Sequence, residues 1–539
     1  MIPQANPRQL LDVADQAFRA GAIERARALA TAACEADPTL ADPWLLRADI
    51  ARRAGDMVEL ELALGQAALL ATEPRMRLRL EIDRGWALRR LGRDGDCFAL
   101  ARRLGELAPD PVESRFLGAL LHAAGLTEAA EPHLALAAAT DASAESWYDV
   151  ALVEHALGRV TQAAAACERA IAAKPSLAQA HALLASLGSW TPDDNHAPRL
   201  RSALAGAADP LDRARLGYAL FKELDDLGRT DEAWAALQAA GAQARTIFPW
   251  SAERDLSMVR GQAALVPGPK AGAPVASDGP RPIFVVGLPR SGTTLVERVL
   301  DRHSGVKALG ELTTLGVLAD PRPDRKPWPY AALAAIERLH GVDWPDVGRR
   351  YRQQADLMAD GAAAIVDKNP QNWAFAGAIA AALPDAVLVH VSRGPMDSLF
   401  GAHRQLFLRE HAWSAGLDDL AAHYRHYRAL TAHWAERLGA QWVDVSYEAL
   451  ASDPAAEVPR LLTACGLAFE AECLAPEQGG GGVQTLSAMQ VREPINPRRI
   501  GNWRRYAAQL EPLRARLEAL GLADADGEAT GYAEVQLLR

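Results

Sequence analysis

Two rhythms of apolar residues divide the chain. Up to about residue 260, alanine and leucine recur at helical spacing, and the pattern is broken at Gly21, Gly55, Gly92, Gly125, Gly158 and Gly228. The intervals are 34, 37, 33, 33 and 70 residues, the last being two periods. Pro38, Pro109 and Pro175 each fall 17 residues after one of these glycines. A glycine turn between two helices, closed by a proline, is therefore repeated along this half. Small alanines let the paired helices approach closely, and each unit buries its apolar face only against its neighbours, which predicts a helical solenoid. After residue 281 the period shortens. Residues 283–286, 364–366, 387–392 and 442–445 are short β-rich runs between helical stretches, which predicts an α/β fold with a parallel sheet.

A period near 34 with this glycine and proline placement is the tetratricopeptide pattern, clearest over residues 151–175. Residues 262–281, rich in proline, glycine and alanine, read as a linker. The expected organisation is a solenoid over 1–261, the linker, and an α/β domain over 282–539. A chain of 539 residues is too long for one ordinary core, so more than one domain is expected on length alone. A net charge of −10 argues against a general nucleic-acid binder, so any anionic ligand must be held by locally clustered arginines. Cys34, Cys97, Cys167, Cys465 and Cys473 form no C-x-x-C pair or zinc spacing and read as reduced packing residues. There is no basic start followed by an apolar core and no run of 18 apolar residues, so no membrane span is expected and the chain reads as cytoplasmic.

In open α/β sheets ligands sit at the carboxyl ends of the strands, and the informative residues follow each predicted strand. The first run leads into Pro282-Ile-Phe-Val-Val-Gly-Leu-Pro-Arg-Ser-Gly-Thr-Thr-Leu295. A strand entering a glycine loop that opens a helix points backbone N–H groups at an anion. Gly287 and Gly292 fit the nucleotide loop G-x-x-x-x-G-K-[ST], but Thr293 stands where the lysine would reach the β- and γ-phosphates. Arg290 with Thr293 and Thr294, and no lysine, suits a less charged group such as a phosphosulfate. The missing lysine also argues against a nucleotide kinase.

Pro-Arg-Ser-Gly-Thr-Thr after an apolar strand resembles the 5′-phosphosulfate loop of sulfotransferases that use 3′-phosphoadenosine 5′-phosphosulfate (PAPS). The whole arrangement is similar to bacterial proteins with tetratricopeptide repeats fused to a sulfotransferase domain akin to tyrosylprotein sulfotransferases. The resemblance implies donor contacts from Arg290, Ser291, Gly292, Thr293 and Thr294. It implies that Glu311, twenty-one residues after Arg290, is the base that takes the acceptor proton, a role contributing about 10²–10⁴-fold. Glu297 and Glu410 are weaker candidates for that role. In Val366-Asp-Lys-Asn-Pro370, Lys368 would stabilise the bridging oxygen as the phosphosulfate bond breaks. In His390-Val-Ser-Arg-Gly-Pro-Met-Asp-Ser398, Arg393 would bind the 3′-phosphate. Tyr447 would contact the adenosine, and Ser487, in a late loop, would assist transfer. No metal is implied.

The chain departs from the family at three points. Gly401 stands where a serine is usual, with Ser398 the nearest hydroxyl. Gln405 stands where an arginine is often seen, beside Arg404. Asn502 replaces a basic residue before Trp503, with Arg498, Arg499, Arg504 and Arg505 nearby. His423 and His426, three apart on a predicted helix, read as packing and surface charge, and the glycines at 479–482 as a flexible loop. The tryptophan-rich stretch 328–344 serves either an aromatic acceptor pocket or the core. The acceptor implied is a hydroxyl, with tyrosine of a protein or peptide recruited by the repeats ahead of a saccharide or small molecule. The alternatives are an interaction scaffold whose catalytic domain has decayed, and repeats that mediate homo-oligomer formation.

Overall fold

The six periodic glycines all occupy turns between helices, with φ from 67° to 87°. That left-handed conformation is open to glycine and costly for residues with a Cβ. A computed structural model of the chain describes residues 6–265, 279–319, 341–480, 482, 492–531 and 533–538. Helix pairs flank the turns: Pro7–Arg19 with Ile23–Ala36, Ala41–Ala54 with Met57–Leu70, Pro74–Arg90 with Asp94–Leu104, Pro111–Ala123 with Thr127–Asp141, and Ala144–Ala156 with Val160–Ala173. Their starts follow local rules. Asp110 and Asp209 each accept hydrogen bonds from two backbone N–H groups of the helix they precede, and each is followed by a proline. Small residues bring paired helices together: a Cβ on Gly118 would lie 2.6 Å from Leu134 Cγ, and one on Gly217 would lie 2.7 Å from Ala240 Cβ.

The double interval between Gly158 and Gly228 holds the short helices Ala178–Ser186 and Ala197–Gly206, joined by a longer loop instead of a glycine turn. Glu223 fixes that loop, accepting from the His196 backbone N–H at 2.6 Å and bonding its Nδ1 at 2.8 Å. Pro210–Asp226 and Thr230–Ile247 form the next pair, and Ala252–Leu265 follows. Most of the stretch expected to be a linker lies outside the described residues; 262–265 complete that last helix and Arg281 opens the first strand.

The chain divides into two compact units. One comprises residues 6–140 with 313–319 and 353–358; the other comprises 141–265, 279–312, 341–352 and the described residues from 359 onward. Within the first, two segments from the second half of the chain are tied to the repeats. Asp94 accepts from Thr314 Oγ1 at 2.7 Å, and the Asp96 backbone N–H donates to Gln354 at 3.0 Å. Within the second, repeat helices from Ala144 on share one unit with the sheet.

The sheet comprises β1 (Arg281–Gly287), β2 (Val306–Ala308), β3 (Ala364–Lys368), β4 (Val387–Ser392) and β5 (Trp442–Ser446), in the order β2-β3-β1-β4-β5. Every pairing is parallel. The four predicted strands are present and β2 is an addition. One face packs Val285, Val366, Val389 and Val445 against Val296, Val299 and Leu300 of the helix Thr293–Asp301 and Leu461 of a later helix. Val285 pairs with Lys368 and Gly287 with Val391, so β1, β3 and β4 deliver their last residues to the same edge.

Candidate functional site

At that edge β1 turns through residues 288–292 into the helix Thr293–Asp301. Arg290 has φ 71° and Gly292 has φ 106°, so the loop passes twice through left-handed backbone, once at a residue with a side chain. Glycine is required at 292 for space as well, since a Cβ there would lie 2.5 Å from Tyr447 Cδ2. Thr293 and Thr294 are buried. Ser291 Oγ is buried with no hydrogen-bond partner among the described residues.

Three further arginines surround the loop arginine. Burial, together with Arg404, Arg499 and Arg393, pushes Arg290 down to about 9 from the ordinary arginine value. An anion beside a cation crowded by cations favours its charged form. Arg393 donates to the Arg290 carbonyl at 3.2 Å and to the Arg499 carbonyl, and stacks 4.5 Å from the Tyr447 ring. Its Nε is buried without a partner among the described residues. Arg290, Gly292, Thr294, Arg393, Tyr447 and Arg499 line one cleft.

A second group lies at the ends of β2 and β3. The chain after β2 continues beside β3: Leu309 N–H donates to the Val366 carbonyl at 2.8 Å, and Lys368 N–H donates to the Gly310 carbonyl at 3.0 Å. This places Glu311 against Lys368, whose Nζ donates to Glu311 Oε1. Lys368 is 1% exposed, Glu311 47%. A second carboxylate, Glu297 Oε2, lies 3.8 Å from the same Nζ and is buried. Burial opposes the Lys368 ammonium, but Glu297 and Glu311 more than offset it and raise its pKa. Burial raises Glu297 to about 7, against the pull of Lys368. An anion cradle and a buried lysine paired with a half-exposed carboxylate thus share one sheet edge.

Residues 282–471 match the sulfotransferase family. The chain therefore carries a sulfotransferase domain behind helical repeats of the tetratricopeptide kind. An uncharacterized protein of Aquifex aeolicus (strain VF5) is 32% identical over 244 residues, covering 43% of this chain and 32% of that protein. The chain spans about a third of the length of the curated relatives it matches, 32% of one and 28% of another. The sulfotransferase domain from the Synechococcus PCC 7002 olefin synthase aligns at 20% identity and a TM-score of 0.31, covering 44% of this chain and 91% of that one. YrrB, a TPR protein with an unusual peptide-binding site, aligns at 19% and 0.28, covering 32% and 88%.

The residues around the sequence departures have defined places in the structure. A Cβ on Gly401 would lie 3.1 Å from Arg290 Cβ, so a larger residue there would press on the loop arginine. Ser398 is buried, its hydroxyl 3.5 Å from the Arg393 carbonyl. Arg404 lies 3.4 Å from Asp225 of the repeat helix Pro210–Asp226. Of the four arginines around Asn502, Arg499 lines the cleft, Arg504 is held by Glu528 at 3.1 Å, and Arg505 by Asp225 at 3.1 Å. Ser487 and most of the tryptophan-rich stretch lie outside the described residues.

Several residues of the sulfotransferase domain escaped the sequence reading. Asp397 accepts from the Gly501 and Trp503 backbone N–H groups at 2.6 and 3.2 Å, pinning the late segment beside Arg393. The Tyr427 hydroxyl meets His390 Nε2 at 2.5 Å and the backbone of Leu288 in the loop, while His390 Nδ1 meets Asp444 at 2.6 Å. That chain of bonds lines a second cleft and ties the loop to β4 and β5. His423 and His426 are not surface charge: both are buried and both bond Asp255, at 3.0 and 2.6 Å. All five cysteines are free and buried. No helix among the described residues is long and apolar enough to cross a membrane.

Proposed function

We propose that the chain transfers a sulfonate from PAPS to an acceptor hydroxyl, with a tyrosine of a protein or peptide brought by the repeats as the acceptor. The observation that carries this reading is the pairing of Lys368 with Glu311 at the sheet edge that also ends in the Arg290 loop. PAPS supplies an activated sulfonate on a phosphate that leaves as adenosine 3′,5′-bisphosphate. The cradle suits such a donor: Arg393, Arg404 and Arg499 gather positive charge around Arg290, and Ser291 Oγ and Arg393 Nε lack partners among the described residues. Arg290, Ser291, Gly292, Thr293 and Thr294 hold the 5′ end, Arg393 the 3′-phosphate and Tyr447 the adenosine. Glu311, half exposed, receives the acceptor proton. Lys368 holds positive charge where the leaving oxygen gains negative charge, a stabilisation on the scale of an oxyanion donor, about 3 kcal/mol. Ser487 joins them by family resemblance.

Calorimetric titration with adenosine 3′,5′-bisphosphate, without Mg²⁺ and with ATP as control, tests the donor site. The expected result is tight binding of the bisphosphate alone. No binding by the folded chain would sink the reading and leave the repeats as an interaction scaffold. Transfer of labelled sulfonate to tyrosine peptides, set against saccharide and small phenol acceptors, then tests the acceptor.

A further inference from the structure

Two carboxylates and one ammonium meet at the reaction centre proposed above, on which this inference rests. Lys368 Nζ bonds Glu311 on the exposed side and lies 3.8 Å from Glu297 Oε2 on the buried side. Glu297 stands on the first turns of the helix that the anion loop opens, so it lies between the cradle and the lysine in the chain's own order. The other charged groups acting on it are Asp301 and Arg298 of the same helix. Arg298 is held 3.4 Å from Asp301 and donates to the Gly480 carbonyl at 2.8 Å, and Asp301 also accepts from the Ala308 N–H at 3.0 Å. Arg298 and Asp301 thus face each other, though the buried Arg298 Nε has no hydrogen-bond partner among the described residues. The strands packed on the other side of the helix contribute Ile283 and Val285, which are apolar.

One lysine cannot neutralise two carboxylates in a dry site, so a full charge on both is unfavourable. We propose that Glu297 is a charge-balancing carboxyl and positioning residue, which takes up a proton when an anionic donor reaches Lys368 and releases it when Glu311 receives the acceptor proton. The change of charge around the buried ammonium is then smaller through the cycle. No bond to substrate is formed by Glu297, and the proton it exchanges comes from and returns to solvent. Its raised pKa, about 7, means it is about half protonated in the free protein at neutral pH. An added negative charge beside Lys368 raises it further, and a neutral Glu311 lowers it.

The full chain is titrated with adenosine 3′,5′-bisphosphate at pH 7 in PIPES and in imidazole, buffers of different ionisation heat. The heats yield the number of protons taken up. The wild type is expected to bind about half a proton more than Glu297→Gln, the difference vanishing near pH 5.5, where the carboxyl is already protonated. Equal proton numbers in the two proteins overturn the proposal. Where Glu297→Gln does not fold, the wild-type profile decides. Uptake centred near pH 7 supports Glu297, and uptake only toward pH 9 belongs to Arg290 and overturns the proposal. Absence of any bisphosphate binding overturns the donor reading itself, and the charge-balancing role with it. Binding without the pH 7 uptake overturns only the latter.

Discussion

The helical repeats and the carboxyl edge of the sheet are built by opposite means. In the repeats, neutral small residues set the spacing: Ala14, Ala26, Ala30, Ala63 and Ala67 are fully buried, and helices touch at glycine. Charges there, exposed or buried, are met by partners, as in Arg47 with Glu59 at 2.7 Å, Arg84 with Glu61 at 2.8 Å and the buried Glu223 with His196 at 2.8 Å. At the sheet edge, by contrast, Lys368 and Glu297 are buried beside Glu311, and Arg290 is crowded by Arg404, Arg499 and Arg393. Buried charge is costly unless paired. Where charges of one sign cluster, as the arginines do around the loop, they mark a site; where each charge meets its own partner, they mark a framework. Substitutions in the repeats should act on stability, and those at the sheet edge on chemistry.

The sharpest break in that contrast is Glu311→Ala. It removes a half-exposed carboxylate and leaves Lys368 its buried partner Glu297. Transfer is expected to fall about 10²–10⁴-fold, with bisphosphate affinity and melting temperature close to wild type. Loss of binding along with transfer would make Glu311 a structural residue. A smaller effect is expected from Arg393→Ala, which removes one charge-assisted contact worth about 1.5–3 kcal/mol. Affinity for adenosine 3′,5′-bisphosphate should fall about 10–150-fold, and that for adenosine 5′-phosphate much less. Equal losses for the two ligands would detach Arg393 from the 3′-phosphate and leave it as the clamp between Arg290 and Arg499.

How far the two regions were legible follows from where their signals lie in the chain. The repeats declare themselves locally, because a left-handed turn needs glycine at each period, and Gly21 through Gly228 are visible without any partner. The loop at 287–294 is equally local. What stayed hidden depends on distant partners. Val306–Ala308, as Val-Lys-Ala, is too short and too polar to read as a strand until β3 lies beside it. Glu297 in Leu-Val-Glu-Arg-Val looks like an exposed helix position, and only Lys368 from another strand shows why it is buried. The compact-unit boundary near residue 140 had no signal, since the repeats on either side of it look alike. His423 and His426 do pack, as read, but their pairing was hidden for the same reason: Asp255, far away in sequence, takes both.

Gly125 and Gly158 bring the contrast down to a single Cβ. Both occupy the same turn, with φ 87° and 76°, so alanine at either should cost about 1–2 kcal/mol of stability through the backbone alone. Around Gly125 nothing lies within 4 Å of an added Cβ. At Gly158 that carbon would sit 2.2 Å from Arg492 Nε, and Arg492 donates to the Ala156 carbonyl at 2.8 Å. Arg492 directly precedes Glu493, which begins the stretch that lines the cleft beside Arg290. Gly125→Ala should therefore lower the melting temperature and leave bisphosphate affinity unchanged. Gly158→Ala should lower both, the affinity by about the tenfold that 1.4 kcal/mol represents, or less. If the two variants bind the bisphosphate equally well, the repeat turn at Gly158 is scaffold like the others, and the late segment is set from Asp397 and Arg393 instead.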